Sequence, residues 1–154
     1  MLLRIPADDR ERFLPLLLLA DESEQQVRSY MGQGELYAFH TSDASGEAAG
    51  VVLAIGAEHE VELKAVAVRA DAQGRGVGLK MLRAVLEDLR AHGVKRVVVG
   101  TANAGVGQLA YYQKAGFRLL RIERDFFSPA RGYPAHMEDN GIRLRDMVWM
   151  DQEL

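Results

Sequence analysis

Between residues 77 and 92, apolar side chains fall at Leu79, Leu82, Val85, Leu86 and Leu89, the spacing of one helix face, and Gly93 supplies the stop. The run 94–99 is short and mostly apolar, which predicts a strand covered on both sides. A second helix is expected over 104–114, a turn at Ala115-Gly116, and a strand over 117–124. With the imperfectly alternating segment 61–68 ahead of them, the second half reads strand, helix, strand, helix, strand.

The first half is less regular. Residues 2–5 suit a short strand ended by Pro6, and Asp8 and Asp9 then place acids where a helix start favours them. This helix is expected to bend or break at Pro15, and the run 16–19, all leucine, predicts a turn lying inside the fold. Asp21 or Ser23 can cap a second helix carrying Val27, Tyr30 and Met31 on one side, closed by Gly32 and Gly34. Segments 36–41 and 49–55 read as an antiparallel hairpin joined by Asp43-Ala44-Ser45-Gly46-Glu47.

Near the end, 128–141 contains Pro129, Pro134, Gly132 and Gly141 and reads as a long loop. A closing strand is expected over 142–150, with Ile142, Leu144, Val148 and Met150 sharing a face with Asp146. A lone carboxylate in that register is costly, so Asp146 is expected to pair with an arginine or to reach into a cleft, the ion pair being the favoured reading.

Composition narrows the function classes. The chain has 154 residues, 48% hydrophobic and 27% charged, which suits one globular domain. Its 19 Lys and Arg against 22 Asp and Glu give a net charge of -3, so no global positive field exists to hold nucleic acid. Cysteine is absent, which excludes disulfides, thiolate metal sites and a cysteine nucleophile. The apolar stretch 13–20 is shorter than the roughly 20 residues a membrane span needs, and acids rather than bases precede it. A cytoplasmic protein without membrane or nucleic-acid partners is therefore expected.

The segment leaving 61–68 carries the chemistry. A strand, a glycine-rich turn and a helix bind phosphate because free amides and the helix dipole converge on an anion. A P-loop is excluded, since Leu79 and Met81 stand where it needs glycine and a hydroxyl. A dinucleotide fingerprint fails because the third glycine is Gly78, one place early, and Lys95 and Arg96 occupy the place of its acid.

What remains is Gln73-Gly74-Arg75-Gly76-Val77-Gly78, followed by Thr101-Ala102-Asn103 and by Tyr111-Tyr112-Gln113-Lys114-Ala115-Gly116-Phe117. Together these resemble the GNAT superfamily of acyl-CoA-dependent N-acyltransferases, the motifs covering about 60–120. The resemblance implies one N-acetyltransferase domain over 1–154. It implies an α/β (α+β) fold with a mixed, mostly antiparallel sheet of about six to seven strands flanked by helices, splayed at the fourth and fifth strands. The implied reaction is attack of a primary amine, on a small molecule or peptide, on the thioester of acetyl-CoA within a ternary complex, without a metal. The alternative is a non-catalytic acyl-CoA-binding sensor. Many relatives are dimers, so a homodimer is one state the resemblance allows.

The same resemblance assigns residues. Main-chain groups of Val66, Ala67 and Val68 would hold the pantetheine arm and polarise the thioester, and Gln73, Gly74, Arg75, Gly76, Val77 and Gly78 would hold the pyrophosphate. Asn103 would bind the arm or cap the next helix. Tyr112 would protonate the leaving thiolate or pack beside it, while Tyr111, about 100° round the helix, would be structural. Glu62 is the candidate base, or a surface acid paired with Lys64, and Glu60 is its substitute. Asp125, Tyr133, Glu138 and Asp146 are candidates for the acceptor site, where acids give a negative rim that attracts an amine. His40 and His59 are read as polar strand or turn residues.

Overall fold

A computed structural model describes residues 1–43 and 45–154; Ala44, in the expected 43–47 turn, lies outside the described residues. The chain opens with β1 (Leu2–Ile5), a 3-10 helix over Ala7–Phe13, α1 (Leu14–Ala20) and α2 (Glu24–Tyr30). Strands β2 (Glu35–Phe39), β3 (Gly50–Ala57) and β4 (Glu60–Val68) follow, then α3 (Val77–Ala91), β5 (Arg96–Ala102), α4 (Val106–Lys114) and β6 (Arg118–Glu123). A small hairpin of β7 (Glu138–Asp139) and β8 (Ile142–Arg143) precedes β9 (Met147–Glu153). Seven strands form one sheet in the order β1-β2-β3-β4-β5-β9-β6, antiparallel except for the pair β4 and β5. Among the described residues, no helix is long and apolar enough to cross a membrane.

Helices cover both faces of the sheet. The face under α3 and α4 buries Met81, Leu82, Val85, Leu86 and Leu89 of α3 against Val52, Leu63, Val97 and Met150 of the strands. Each such side chain contributes about 1.5–3 kcal/mol of burial. The other face packs Phe13, Leu17, Val27 and Tyr30 against Val51, Leu53, Ala65 and Ala67.

Several expectations need correction. The first helix begins as a 3-10 turn and becomes α-helical only at Leu14, with Pro15 in its first turn, where a missing N–H costs nothing. The leucine run is not enclosed: Leu17 is buried, but Leu19 is exposed. No strand runs through 142–150, because β8 folds back on β7 around Asn140 and Gly141, both with positive φ, and β9 starts at Met147. The 128–141 segment is thus a 3-10 turn and half a hairpin rather than a featureless loop.

Two buried polar arrangements tie the helices down. Arg10, 5% exposed, donates to the carbonyls of Ile5, Met31, Gln33 and Gly34, fixing the entry to β2. Asp88 on α3 accepts from Arg4 at 2.7 Å and from the Tyr37 hydroxyl at 2.8 Å, joining the helix to β1 and β2. Burial alone would push the Asp88 carboxyl up, but the bonds from Arg4 and Tyr37 outweigh it and hold it below the usual carboxylate range.

A folded-state pKa below the unfolded one contributes stability that is complete above the unfolded value and lost as pH falls through the folded one. Asp88→Asn is therefore expected to lower stability by about 1–2 kcal/mol at neutral pH. Its deficit should shrink below about pH 4, the ordinary Asp value. Urea titrations of both proteins across that range check this, and a deficit independent of pH would contradict it.

Candidate active site

The site begins where two strands part company. Parallel pairing of β4 with β5 runs from Glu60 opposite Arg96 to Glu62 opposite Val98 and stops there, although β4 continues to Val68 and β5 to Ala102. The remainder of both strands flanks a gap in the sheet.

Just past that point β4 carries a bulge. Leu53 of β3 pairs with Ala65 and Ala54 with Leu63, which leaves Lys64 unpaired. The extra residue swaps the faces: Val61 and Leu63 point to the α3/α4 core, yet beyond the bulge Ala65 and Ala67 join the α1/α2 core, and Val66 and Val68 pack on the α3/α4 side. The Arg69 amide donates to the Ala49 carbonyl. By antiparallel alternation, Val66 and Val68 therefore aim their peptide groups away from β3 and into the gap.

Gly74 and Gly76 follow with φ of +77° and +75°. A Cβ at either would meet nothing within 4 Å, so the turn presents bare backbone to open space at the start of α3. Arg75 is exposed and makes no ion pair among the described residues, whereas the Gln73 amide is used within the protein, donating to the Val68 carbonyl at 2.9 Å. A cleft of about 470 Å³ beside this turn is lined by Arg75, Val77, Asp71, Arg69, Asp43 and Thr41.

Sequence reasoning overlooked Arg69. Its guanidinium bonds to Asp71 and to Asp43, 2.9 Å away, so it fastens the β2–β3 connection to the turn that leads into the glycines. Hydrogen bonds from Ser45 and Arg69 hold the Asp43 carboxyl well below the usual range. The only hint in the sequence was an arginine at a strand exit two residues before an acid.

Tyr112 lies in the α3/α4 core, 6% exposed, with its ring on Phe117. Burial pushes its phenol up from the ordinary tyrosine value, with Tyr111 adding to the effect. Its hydroxyl has no protein partner among the described residues. Tyr111 donates to the Gly78 carbonyl at 2.7 Å, and a Cβ on Gly78 would lie 3.2 Å from Val68 and 3.3 Å from Tyr111. The end of β4, the start of α3 and helix α4 therefore converge.

Glu62 lies on the opposite face, in register with Ile55, which packs on the α1/α2 core. It forms no ion pair among the described residues: Lys64 sits over the Tyr30 ring at 5.3 Å rather than beside it. Glu60 is occupied, 2.8 Å from Arg96, which also holds Asp151.

The remaining candidates are placed as follows. Asn103 does not cap α4, whose N-cap is Gly105; its side chain accepts from the amides of Arg145 and Asp146 and donates to the Arg143 carbonyl. Asp146 does not pair with an arginine but accepts the backbone amide of Asp125 at 2.9 Å, its charge met by a peptide dipole. Tyr133 packs in a cluster with Phe126 and Phe127, and burial and the nearby Asp21 carboxylate both push its phenol up. Glu138 stands exposed on the β7–β8 hairpin. His59 faces the Gly93 carbonyl at the β3–β4 turn, and His40 follows β2. No group of three or more His, Asp or Glu side chains among the described residues is placed to hold a metal ion.

A sheet opened between two strands, with a bare glycine turn at its mouth, fits an acyl-CoA-dependent transferase, and the family match shows that class. The chain belongs to the acetyltransferase (GNAT) family, whose model matches residues 7–117. It is 36% identical to the uncharacterized N-acetyltransferase YvbK of Bacillus subtilis over 92% of this chain and 88% of that one. Its fold matches a crystal structure of a Bacillus subtilis acetyltransferase in complex with CoA at TM-score 0.87 and 33% identity, covering 99% of this chain and 97% of the other. It also matches a GNAT acetyltransferase of Elizabethkingia anophelis with acetyl-CoA bound, at TM-score 0.88 and 32% identity over 100% and 97% of the two chains. Acetyl transfer from acetyl-CoA is the reaction this family performs.

The cradle can be tested apart from the fold. Asparagine tolerates the left-handed backbone, so Gly76→Asn should fold with little change in melting temperature. Its side chain would fill the open space in front of the turn, and CoA affinity measured by calorimetry should fall at least about tenfold, or about 1.4 kcal/mol. Wild-type affinity in the folded variant would remove the turn from the binding site.

Proposed function

We propose that the protein transfers an acetyl group from acetyl-CoA directly to a primary amine of a small molecule or peptide, with both substrates held at once. The observation that carries this reading is the gap between β4 and β5, with an unpaired carboxylate on one face of β4 and a buried phenol on the other.

Acetyl-CoA supplies the activated acyl carbon as a thioester. The backbone at Gly74, Arg75, Gly76, Val77 and Gly78 binds the pyrophosphate, with the Arg75 guanidinium adding charge. The free N–H and C=O of Val66 and the free N–H of Val68 hold the pantetheine amides and polarise the thioester carbonyl. The Val68 carbonyl is held by Gln73, and Ala67, expected to share this role, turns its N–H and C=O to β3. Gln73 and Asn103 act indirectly, the first by holding the strand exit and the second by holding residues 143–146 beside the β5–α4 turn.

The amine enters from the α1/α2 face, where Glu62 removes its proton directly or through one water. Tyr112, on the α3/α4 face, gives its proton to the departing thiolate. Burial keeps the phenol protonated, so the proton to be given is present at neutral and mildly alkaline pH. On the acceptor side, Asp125, Tyr133 and Asp146 shape the entrance, and Glu138 contributes charge from the hairpin.

The reading requires that the folded protein bind acetyl-CoA or CoA; calorimetry that detects neither would end it. Tyr112→Phe should cut kcat by about 10²-fold while the Kd for acetyl-CoA stays close to wild type. Since the phenol ionises only above the ordinary tyrosine value, near 10, wild-type kcat should show no Tyr112-dependent fall at lower pH. Unchanged turnover in the variant would remove the acid role.

Glu62→Gln tests the other face. Amine-dependent CoA release should drop by about 10²-fold while the Kd for acetyl-CoA stays close to wild type. A variant that keeps the wild-type rate would hand the base role to water.

A further inference from the structure

The edge of the sheet at β6 is not covered. This strand pairs with β9 on one side only, and every residue from Arg118 to Ile122 is exposed. Leu119 is 61% exposed, Leu120 43% and Ile122 56%, three of the large apolar side chains that the chain leaves in water, gathered on one free edge. An open edge of this kind offers unpaired N–H and C=O groups to another strand.

The sequence of this edge is complementary to itself. When Arg-Leu-Leu-Arg-Ile-Glu is laid antiparallel to a second copy, Arg118 meets Glu123, Leu119 meets Ile122, and Leu120 meets Arg121. In a regular strand Leu119 and Ile122, three apart, would point to opposite faces. The register with β9 skips Leu120, so Leu119 lies opposite Met150 and Ile122 opposite Val148, two apart on β9 and therefore on one face. Arg118 and Glu123, opposite Asp151 and Met147, share the other face. The bulge thus makes the Leu119–Ile122 and Arg118–Glu123 pairs match in face as well as in chemistry, with Leu120 against Arg121 at the two-fold centre.

Charge is arranged to suit. Glu123 is held at the strand end by Arg131 at 2.7 Å and by the Trp149 indole at 3.1 Å, and these partners hold its carboxyl below the usual range. Arg118 has no ion-pair partner among the described residues, because Asp151, opposite it on β9, is taken by Arg96.

We propose that β6 is a two-fold interface: two copies of this chain pair antiparallel through it, joining their sheets, with Leu119 on Ile122 of the second copy and Arg118 on its Glu123. Such an interface is isologous, so each contact occurs twice. A single strand edge buries less than the roughly 1,600 Å² of a standard interface, which points to a roughly micromolar Kd.

Sedimentation velocity over a range from about 1 to 100 µM tests it, since that span brackets a micromolar Kd. The wild-type protein should pass from monomer to dimer. Ile122→Lys, at an exposed position that leaves folding intact, should remain monomeric throughout. Arg118→Glu should weaken association at least tenfold by opposing Glu123, and mixing it with Glu123→Arg should restore association at least tenfold tighter than that of either variant alone. A wild type that stays monomeric at the highest concentration overturns the proposal. So does a dimer whose Kd is unmoved by both Ile122→Lys and Arg118→Glu, since its interface would lie elsewhere.

Discussion

The loss of pairing between β4 and β5 beyond Glu62 and Val98 is the constraint from which the site follows. Parallel strands that separate leave backbone donors and acceptors without partners, a cost the fold must hold in check. Each side of the gap is supported from behind. β4 is paired with β3 up to Val68, and β5 is paired with β9 along its whole length, from Arg96 opposite Glu153 to Ala102 opposite Met147. The opening is therefore a rigid slot, with its free peptide groups directed inward.

The bulge at Lys64 determines what each face of that slot carries. Without it Glu62, Val66 and Val68 would all point the same way. With it the carboxylate lies toward α1 and α2, while the two valines pack under α3 and α4 beside the cluster that contains Tyr112. Helix positions then complete the geometry: Asp88 clamps α3 to the first two strands, and the Tyr111 hydroxyl joins α4 to the first turn of α3.

The parts of this arrangement that depend on local rules were readable from the chain. The face of α3 follows from a 3.6-residue period, and glycines at 74 and 76 were required by a backbone with positive φ. The bulge was not readable. Polar and apolar residues alternate from Glu60 to Ala65 with no break at Lys64, and 65–68 is apolar throughout, because both faces of β4 are covered there and small apolar residues serve either one. The strand expected over 142–150 failed for a different reason: Asn140-Gly141 is a two-residue hairpin signal, and it was absorbed into a loop defined by prolines. Partners such as Asp125 for Asp146, or the 143–146 backbone for Asn103, depend on chain crossings that no local pattern encodes.

The proposed direct transfer also has no use for the residue the chain lacks, cysteine. Where an acyl group is stored on the protein between two half-reactions, one side chain must act as nucleophile, and a thiol is the usual choice for a thioester. Direct transfer has no such stage. It needs instead a base on the side from which the amine approaches and an acid on the side toward which sulfur departs, with the acyl carbon between them. Glu62 and Tyr112 lie on opposite faces of the sheet, one unpaired and the other kept neutral by burial. The carboxylate and the phenol thus stand on the two sides that the proposed reaction assigns to its base and its acid.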